Sequence, residues 1–521
     1  AAAFGAPLGG VLFAMEEGSS FWSPRTMLRS FLCAACAAFT VSWLLVGIED
    51  DTHWGWLGAA APLSFGHFGR ATYRLWEMAI FASMGILGGL GGALFNAVNT
   101  RLTRWRMRHI GSTGRARFLE VLSVTAVVAS ISFALPVVFQ GESVPTESLS
   151  VEALLFRSPG TESIKTLFHK EHPFDRTQLL LFGCVYYTLA CWTYGLGVPS
   201  GLFVPSLLSG AAFGRLLGHH LHRLPEVVAH GSSPGVYALI GAVAALSGMA
   251  RITISLAVIL IEATGDTTWS LPIFLTVFMA KFTGDLFNQG LYDIHIGLRH
   301  IPVLHPFAER QMLRKCAEDV MTEPVAVLEP IMTVRQLMRV LESNNHQGYP
   351  VVSGDKHFGG LVKRSTVHHV LLCGRDSGVY VHQNELWSGH VGPFVPYKEI
   401  LRRRAPFPSL QEIRACLRWE DYDKLIDLRP YMSTGSFTVP ENAALTRVYM
   451  LFRTMGLRHL PVVSRGGRLA GIITRKDLIL SEDYDAREVV SDLERLTALE
   501  LGMSAATEAL ESEFYSPPHL A

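Results

Sequence analysis

Gly195-Leu-Gly-Val-Pro-Ser-Gly-Leu-Phe-Val-Pro205 is a glycine- and proline-rich segment inside an uncharged stretch that runs from Gln178 to Gly214. Backbone groups cannot stay unpaired against lipid, so a broken helix at membrane depth lines a cavity or packs against protein. A helix that begins at such a break points free N–H groups and the positive end of its dipole into the cavity. The segment therefore favours an anion site, and anion transport is our first hypothesis.

The composition indicates a membrane part followed by a soluble part. Of 521 residues, 49% are hydrophobic and 17% are charged, and the formal net charge of zero predicts no nucleic-acid partner. From about residue 310 the uncharged runs stop and alternating amphipathic segments begin. We predict an all-α polytopic membrane domain with broken helices, followed by an α/β domain. The predicted membrane domain has further apolar runs at Ala1 to Met15, Ser30 to Ile48, Ala79 to Ala97, Val121 to Gly141, Ile252 to Ile261 and Thr267 to Ala280.

The seven cysteines do not form the pattern of a disulfide framework. Cys33-x-x-Cys36 can be interpreted as a redox or metal motif, but inside an uncharged helix we favour two packing residues. The opening Ala1-Ala-Ala-Phe4 has no charged flank, so we predict no signal peptide but the inside of a helix of a longer protein.

Two apolar segments of the membrane part resemble each other. Ala6 to Glu16 can be laid over Ile252 to Glu262, and both segments end on a carboxylate. Duplicated, often inverted halves are common in transporters. Glu16 and Glu262 are then structural, either capping a helix or pairing with a basic group. Glu17 has no counterpart, and it is either a functional intramembrane acid or an interfacial flank.

Several motifs resemble the CLC family of chloride channels and chloride/proton exchangers. The resemblance implies the CLC fold with its inverted repeat, and a homodimer in membrane lipid with one anion pathway per subunit. Four of the motifs are most similar to the late-endosomal and lysosomal branch, and an accessory subunit is left open as a further partner. The motifs are Ala1 to Gly18, Gly201-Leu-Phe-Val-Pro205 and Gly290-Leu-Tyr-Asp293, with Phe4-Gly-Ala-Pro7, Glu16 to Trp22, Ala190 to Gly195 and Tyr292-Asp-Ile-His295 pointing to that branch.

The resemblance also implies site residues. The Gly201 motif places the backbone N–H groups of Leu202 and Phe203 on chloride, and Tyr292 donates its phenolic hydrogen bond to the same ion. Family exchangers carry Glu where Glu17 stands, and typical family channels carry an apolar residue. We therefore predict a chloride/proton antiporter without catalytic residues, metal or required cofactor. The alternative is a passive voltage-gated chloride channel.

The family's Gly-Ser-Gly-Ile-Pro stretch and its Gly-x-Glu-Gly motif with the gating glutamate would precede Ala1. We expect that residues 1–521 alone do not transport, and the choice between chloride and nitrate stays open. A distant alternative is a CBS-regulated cation transporter, which would need carboxylates converging on a pore.

The polar half contains a second duplication. Two β-α-β-β-α units resemble a pair of CBS modules, which the resemblance places in the cytosol with an adenine nucleotide such as ATP as regulator. His346 would stack on adenine, Thr474 would contact phosphate and Asp477 would bind ribose. Thr366 stands where the first module would carry its ribose-binding acid, so we predict one site. The alternative is that Asp477 only caps the following helix.

The predicted domains are a membrane domain at 1–300, CBS modules at 313–376 and 426–483, a linker at 377–425 and a tail at 484–521. Four prolines predict a largely irregular linker. Its Arg402-Arg-Arg404 is interpreted as a solvated surface, with a phosphoinositide contact as the alternative. The loop from Gly141 to Arg176 would be lumenal or extracellular.

Overall fold

The computed structural model describes residues 1–49, 65, 73–110, 114–139, 160–169, 174–223, 232–299, 301, 303–304, 308, 310–374, 377–382, 394–402 and 408–479. The chain divides into two compact units, Ala1–Pro306 with Leu451–Gly456, and Phe307–Met450 with Leu457–Ala521. The predicted tail, most of the loop at 141–176 and the side chains of Arg402-Arg-Arg404 lie outside this description.

The described part of the first unit is helical, as predicted. Three of its helices, α2 to α4, contain segments long and apolar enough to cross a membrane, at Pro24–Val46, Leu75–His109 and Gly114–Leu135. The eleven described helices are α1 (Pro7–Glu16), α2 (Pro24–Glu49), α3 (Leu75–His109), α4 (Gly114–Phe139), α5 (Gly160–His169), α6 (Arg176–Thr193), α7 (Phe203–Leu221), α8 (Pro234–Ala250), α9 (Ile254–Thr264), α10 (Ser270–Asp285) and α11 (Leu291–Leu298).

The predicted helix break is confirmed. Helix α6 ends at Thr193 and α7 begins at Phe203, with non-helical backbone between them. Gly195 adopts a φ of +91°, which L side chains rarely adopt. The glycine and proline cluster thus divides one uncharged stretch into two helices.

Helix α8 lies at the centre of the first unit and packs against α3 and α7. Fifteen of its residues are buried. The backbone of α8 approaches those of α3 and α7 closely. A Cβ added at Gly92 of α3 would lie 2.0 Å from the carbonyl carbon of Gly248, and one added at Gly214 of α7 would lie 2.2 Å from the backbone carbonyl oxygen of Tyr237. Small residues allow such contacts between membrane helices.

Helices α1 and α9 cap each other, which confirms the structural interpretation of Glu16 and Glu262. The Glu16 carboxylate, at the end of α1, accepts hydrogen bonds from the amides of Thr253 (2.8 Å) and Ser255 (3.0 Å) at the start of α9. The Glu262 carboxylate, near the end of α9, accepts from the Leu8 and Gly9 amides at 3.2 and 2.8 Å. Each carboxylate therefore satisfies free N–H groups of the other helix.

The second unit contains strands and helices in the predicted order. Its first module runs β1, α12, β2, β3 and α13, and β2 pairs antiparallel with β3 with Gly348 opposite Lys363. In the second module, β6 pairs antiparallel with β7 and parallel with β5. The elements are β1 (Ile331–Thr333), α12 (Val334–Ser343), β2 (Gly348–Val352), β3 (Phe358–Lys363), α13 (Arg364–Cys373), α14 (Tyr397–Arg402), α15 (Leu410–Cys416), β4 (Leu425–Asp427), β5 (Val439–Pro440), α16 (Leu445–Met455), β6 (His459–Val463) and β7 (Leu469–Thr474).

The linker is more ordered than its prolines predict. It holds α14 and α15, and Ser409 with Glu412 forms a capping box at the start of α15. Ile400 and Ile413 join the hydrophobic core of the first module. The prediction of a largely irregular linker is therefore wrong for its described residues, because two apolar side chains anchor short helices there.

Candidate anion-binding site

The start of α7 presents free backbone donors. The Leu202 and Phe203 amides make no hydrogen bond to a described residue, and no side chain caps this helix. Leu202 is buried, at 3% exposure, and Phe203 is half-buried. Unpaired N–H groups at the positive end of a helix can bind an anion.

Tyr292 lies in the first turn of α11 and packs against the same hydrophobic core as Phe203. Its ring meets Phe13 edge-on at a centroid distance of 6.4 Å, and Phe203 meets Phe4 at 4.4 Å. The Tyr292 hydroxyl makes no hydrogen bond to a described residue. It is therefore free to donate one to a ligand.

Gly201 does not adopt a backbone conformation that only glycine favours. Its φ is not positive, and an added Cβ would meet no heavy atom within 4 Å. The glycine with a positive φ in this segment is Gly195, where an added Cβ would also lie 3.0 Å from the Thr103 hydroxyl and 3.3 Å from the His295 ring. The open space beside Gly201 leaves room next to the Leu202 amide.

Glu17 differs from its neighbour Glu16. Its half-buried carboxyl makes no hydrogen bond to a described residue, whereas Glu16 holds four donors. Glu17 interacts electrostatically with Asp293 and Lys281, and also with Tyr292. A carboxyl group without fixed partners is free to bind and release a proton.

A polar network beside these groups was not predicted. Asn99 and Arg106 on α3 are buried and bind the carbonyl groups at the end of α6, and Asn99 also contacts His295 on α11. Arg106 forms an ion pair with Glu120 at 2.7 Å. The pattern Asn96-Ala-Val-Asn99 inside an apolar run indicates such a network, because amide side chains at membrane depth need hydrogen-bond partners.

The predicted nucleotide residues of the second module contact one another. The Asp477 carboxylate accepts hydrogen bonds from the Thr474 amide at 2.7 Å and from its hydroxyl at 2.8 Å. The Thr322 hydroxyl donates to the same carboxylate at 3.4 Å. Asp477 thus reaches back to Thr474, and the residues after β7 form turns as far as the description extends.

His346 of the first module is exposed, and its ring lies 6.4 Å from that of Tyr349. It interacts electrostatically with His459, which faces Gly348 at the start of β2. Burial lowers the pKa of His459, and so do the charges of Arg458, His346 and Lys363. Basic groups of both modules therefore meet here, without a described contact between His346 and Asp477.

Two surface cavities of the second unit lie elsewhere, and no predicted nucleotide residue lines them. One has a volume of about 560 Å³ and lies at Ser353 to His357 with Gly466 and Arg468, and the other is about 520 Å³. Cys33 and Cys36, predicted as packing residues, are free thiols exposed on the surface of α2 within this chain. Among the described residues, no three His, Cys, Asp or Glu side chains are placed to hold a metal.

Comparison with known proteins gives consistent similarities. Residues 1–285 match the family described as voltage gated chloride channel, and residues 317–372 and 427–482 match the CBS domain. The chain is 38% identical to the H(+)/Cl(-) exchange transporter 7 of Mus musculus, covering 92% of this chain and 61% of the relative. It is 32% identical to chloride channel protein CLC-d of Arabidopsis thaliana, covering 94% and 66%. The chain thus spans less than two thirds of these relatives.

A solved structure supports the fold. The crystal structure of a eukaryotic CLC transporter matches with a TM-score of 0.56 at 24% identity, covering 91% of this chain and 67% of that one.

Proposed function

Because this chain belongs to the voltage-gated chloride channel family and carries the CLC fold that its motifs predict, we propose that it is the core of a chloride/proton antiporter. One observation carries this proposal: the free Leu202 and Phe203 amides and the free Tyr292 hydroxyl belong to segments packed on one core. These groups bind chloride, and Glu17 transfers protons.

The chemistry of the donors suits an ion that must leave again. Backbone amides and a neutral hydroxyl bind an anion without the tight hold of a fixed Lys or Arg. The open space at Gly201 allows the ion to approach the backbone. The described residues around Leu202 supply no metal-binding carboxylate cluster, so the cation-transporter alternative has no support there.

Exchange is favoured over passive conduction because Glu17 is a half-buried carboxyl without fixed partners. The Mus musculus relative is named as an exchanger, and this supports the same activity here. The Glu17 carboxyl interacts electrostatically with Tyr292, which supports a proton site coupled to the chloride site.

The remaining parts of the proposal concern setting and regulation. We place the protein as a homodimer in the late-endosomal or lysosomal membrane with its CBS modules in the cytosol, as the motifs of its sequence imply. An adenine nucleotide held by His346, Thr474 and Asp477 regulates it. The charges of Lys363 and Arg458 act on His459, where positive charge suits a phosphate group.

The test uses the full-length protein in liposomes, with chloride and proton fluxes measured together. Glu17→Gln is expected to keep chloride flux and to abolish proton flux, because no titratable carboxyl remains. Glu16→Gln is the matched control and is expected to keep the wild-type coupling ratio. Proton flux at the wild-type ratio in Glu17→Gln would refute the assignment of Glu17. A wild-type protein that moves chloride without protons would establish the passive channel instead.

A further inference from the structure

Two segments that form the proposed anion site are joined by one buried amide side chain. Helix α6 leads through Gly195 to the Leu202 and Phe203 amides, and α11 carries Tyr292. Asn99 of α3 contacts the end of α6 and also contacts α11.

The end of α6 depends on α3 for its hydrogen bonds. The last carbonyl groups of a helix have no partner within it. The Asn99 side-chain nitrogen donates to the backbone carbonyl oxygens of Cys191 and Tyr194, both at 2.9 Å. Arg106 lies seven residues after Asn99 on the same face of α3. Its guanidinium group donates to the backbone carbonyl oxygen of Tyr194 at 3.0 Å and to that of Trp192. Asn99 and Arg106 therefore fix the point where the chain leaves α6.

The orientation of the Asn99 amide sets the role of His295. Both hydrogens of the amide nitrogen are used by carbonyl groups, so the Asn99 oxygen must face His295 and accept a hydrogen bond. The distance from Nε2 of His295 to this oxygen is 2.9 Å, and both side chains are buried. His295 therefore carries its proton on Nε2.

His295 lies three residues after Tyr292, so the two side chains are neighbours on α11. The His295 ring also meets the Tyr194 ring edge-on, at a centroid distance of 5.0 Å. Tyr194 in turn interacts electrostatically with Tyr292. The end of α6 and the start of α11 thus share one contact region.

We propose that the Asn99–His295 hydrogen bond is a positioning device that holds the Tyr292 hydroxyl in register with the Leu202 and Phe203 amides. This inference rests on the proposed anion site. Asn99 and His295 do not touch the anion themselves. They act by keeping the two segments that bind it at a fixed separation.

The test compares two substitutions of His295 in the purified full-length protein by calorimetric titration with chloride. His295→Phe keeps a ring against Tyr194 but loses the donor, and chloride affinity is expected to fall about fivefold or more. His295→Gln keeps an N–H donor at similar reach, and its affinity is expected to stay within about twofold of wild type. Tyr187→Phe is the control, because it removes another α6–α3 hydrogen bond, to Gly91 at 2.7 Å, away from this region.

A double substitution separates positioning from general damage. If His295 acts through Tyr292, His295→Phe should weaken binding no further once Tyr292→Phe is present. Additive losses, or wild-type affinity in His295→Phe, would overturn the inference while the anion site stands. A wild-type protein that binds no chloride would instead refute the proposed function.

A measurement on folded protein covers the case in which His295→Phe does not fold. Nitrogen-15 NMR of labelled histidine, with the His295 signal identified by its loss in His295→Gln, should show the proton on Nε2 in the wild type. A proton on Nδ1 with a bare Nε2 would overturn the inference, because no hydrogen bond to the Asn99 oxygen could then form.

Discussion

Glu16→Gln and Glu17→Gln form a matched pair in which adjacent residues receive the same substitution, and only Glu16→Gln is expected to lower stability. Glu16 accepts hydrogen bonds from the Thr253 amide and hydroxyl at 2.8 and 2.5 Å, and from the Ser255 amide and hydroxyl at 3.0 and 2.6 Å. A glutamine keeps one oxygen and turns an NH₂ group toward the other pair of donors. The backbone N–H that faces the NH₂ group loses its acceptor, the hydroxyl beside it can reverse and accept from that NH₂ group, and the other two hydrogen bonds lose their charge.

The size of the effect follows from this count. A hydrogen bond to a charged group contributes about 1.5–3 kcal/mol net, and the lower end applies to this partly exposed carboxylate. We expect Glu16→Gln to lower the free energy of unfolding by about 2 kcal/mol, which corresponds to roughly 4 °C or more in thermal midpoint. Glu17→Gln breaks no described hydrogen bond and should shift the midpoint by less than about 1 °C.

The assay is the fraction of purified protein that stays monodisperse after heating, followed across temperature for wild type and both variants. Ser255→Ala removes one donor to Glu16 and should give a smaller loss than Glu16→Gln. Equal midpoints for Glu16→Gln and wild type would show that the reciprocal caps do not stabilise the domain. A large loss in Glu17→Gln would show that Glu17 is a structural residue.

Two further predictions concern the glycines and the nucleotide. Gly201→Ala should leave the free energy of unfolding almost unchanged because its Cβ has open space, whereas Gly195→Ala should lower that free energy by about 1–2 kcal/mol through its positive φ. Equal thermal midpoints of the two variants would contradict this. Millimolar ATP should raise the unfolding temperature of the CBS unit, since a ligand bound only to the folded state stabilises it. Asp477→Ala and His346→Ala should each reduce this shift, and Lys476→Ala should not. If the midpoint of the wild-type unit does not change with ATP, the two CBS modules form a scaffold that binds no nucleotide in its cleft.

Local signals in the sequence predicted much of the first unit. The glycine and proline cluster located the break between α6 and α7, because these residues act on their own backbone. The alignment of Ala6 to Glu16 with Ile252 to Glu262 identified Glu16 and Glu262 as structural residues, and the structure shows the caps. Composition alone separated the helical unit from the α/β unit.

Contacts between distant segments could not be predicted in the same way. The Asn99–His295 hydrogen bond joins residues 196 positions apart, and no local pattern fixes such a partner. The motif also does not reveal which glycine takes a positive φ, since Gly195 and Gly201 look alike in sequence. The prolines of the linker do not indicate its helices, whereas Ser409 and Glu412 form a capping box at the start of α15 that is visible as a sequence pattern.

The reciprocal caps of α1 and α9 also bear on the order in which the chain is made. The acceptor for the Leu8 amide is 254 residues further along, at Glu262. At a synthesis rate of about 5–20 residues per second, roughly ten to fifty seconds pass before it emerges. Until then the Leu8 and Gly9 amides have no acceptor from α9. The cap of α1 therefore forms only after most of the first unit has been synthesised.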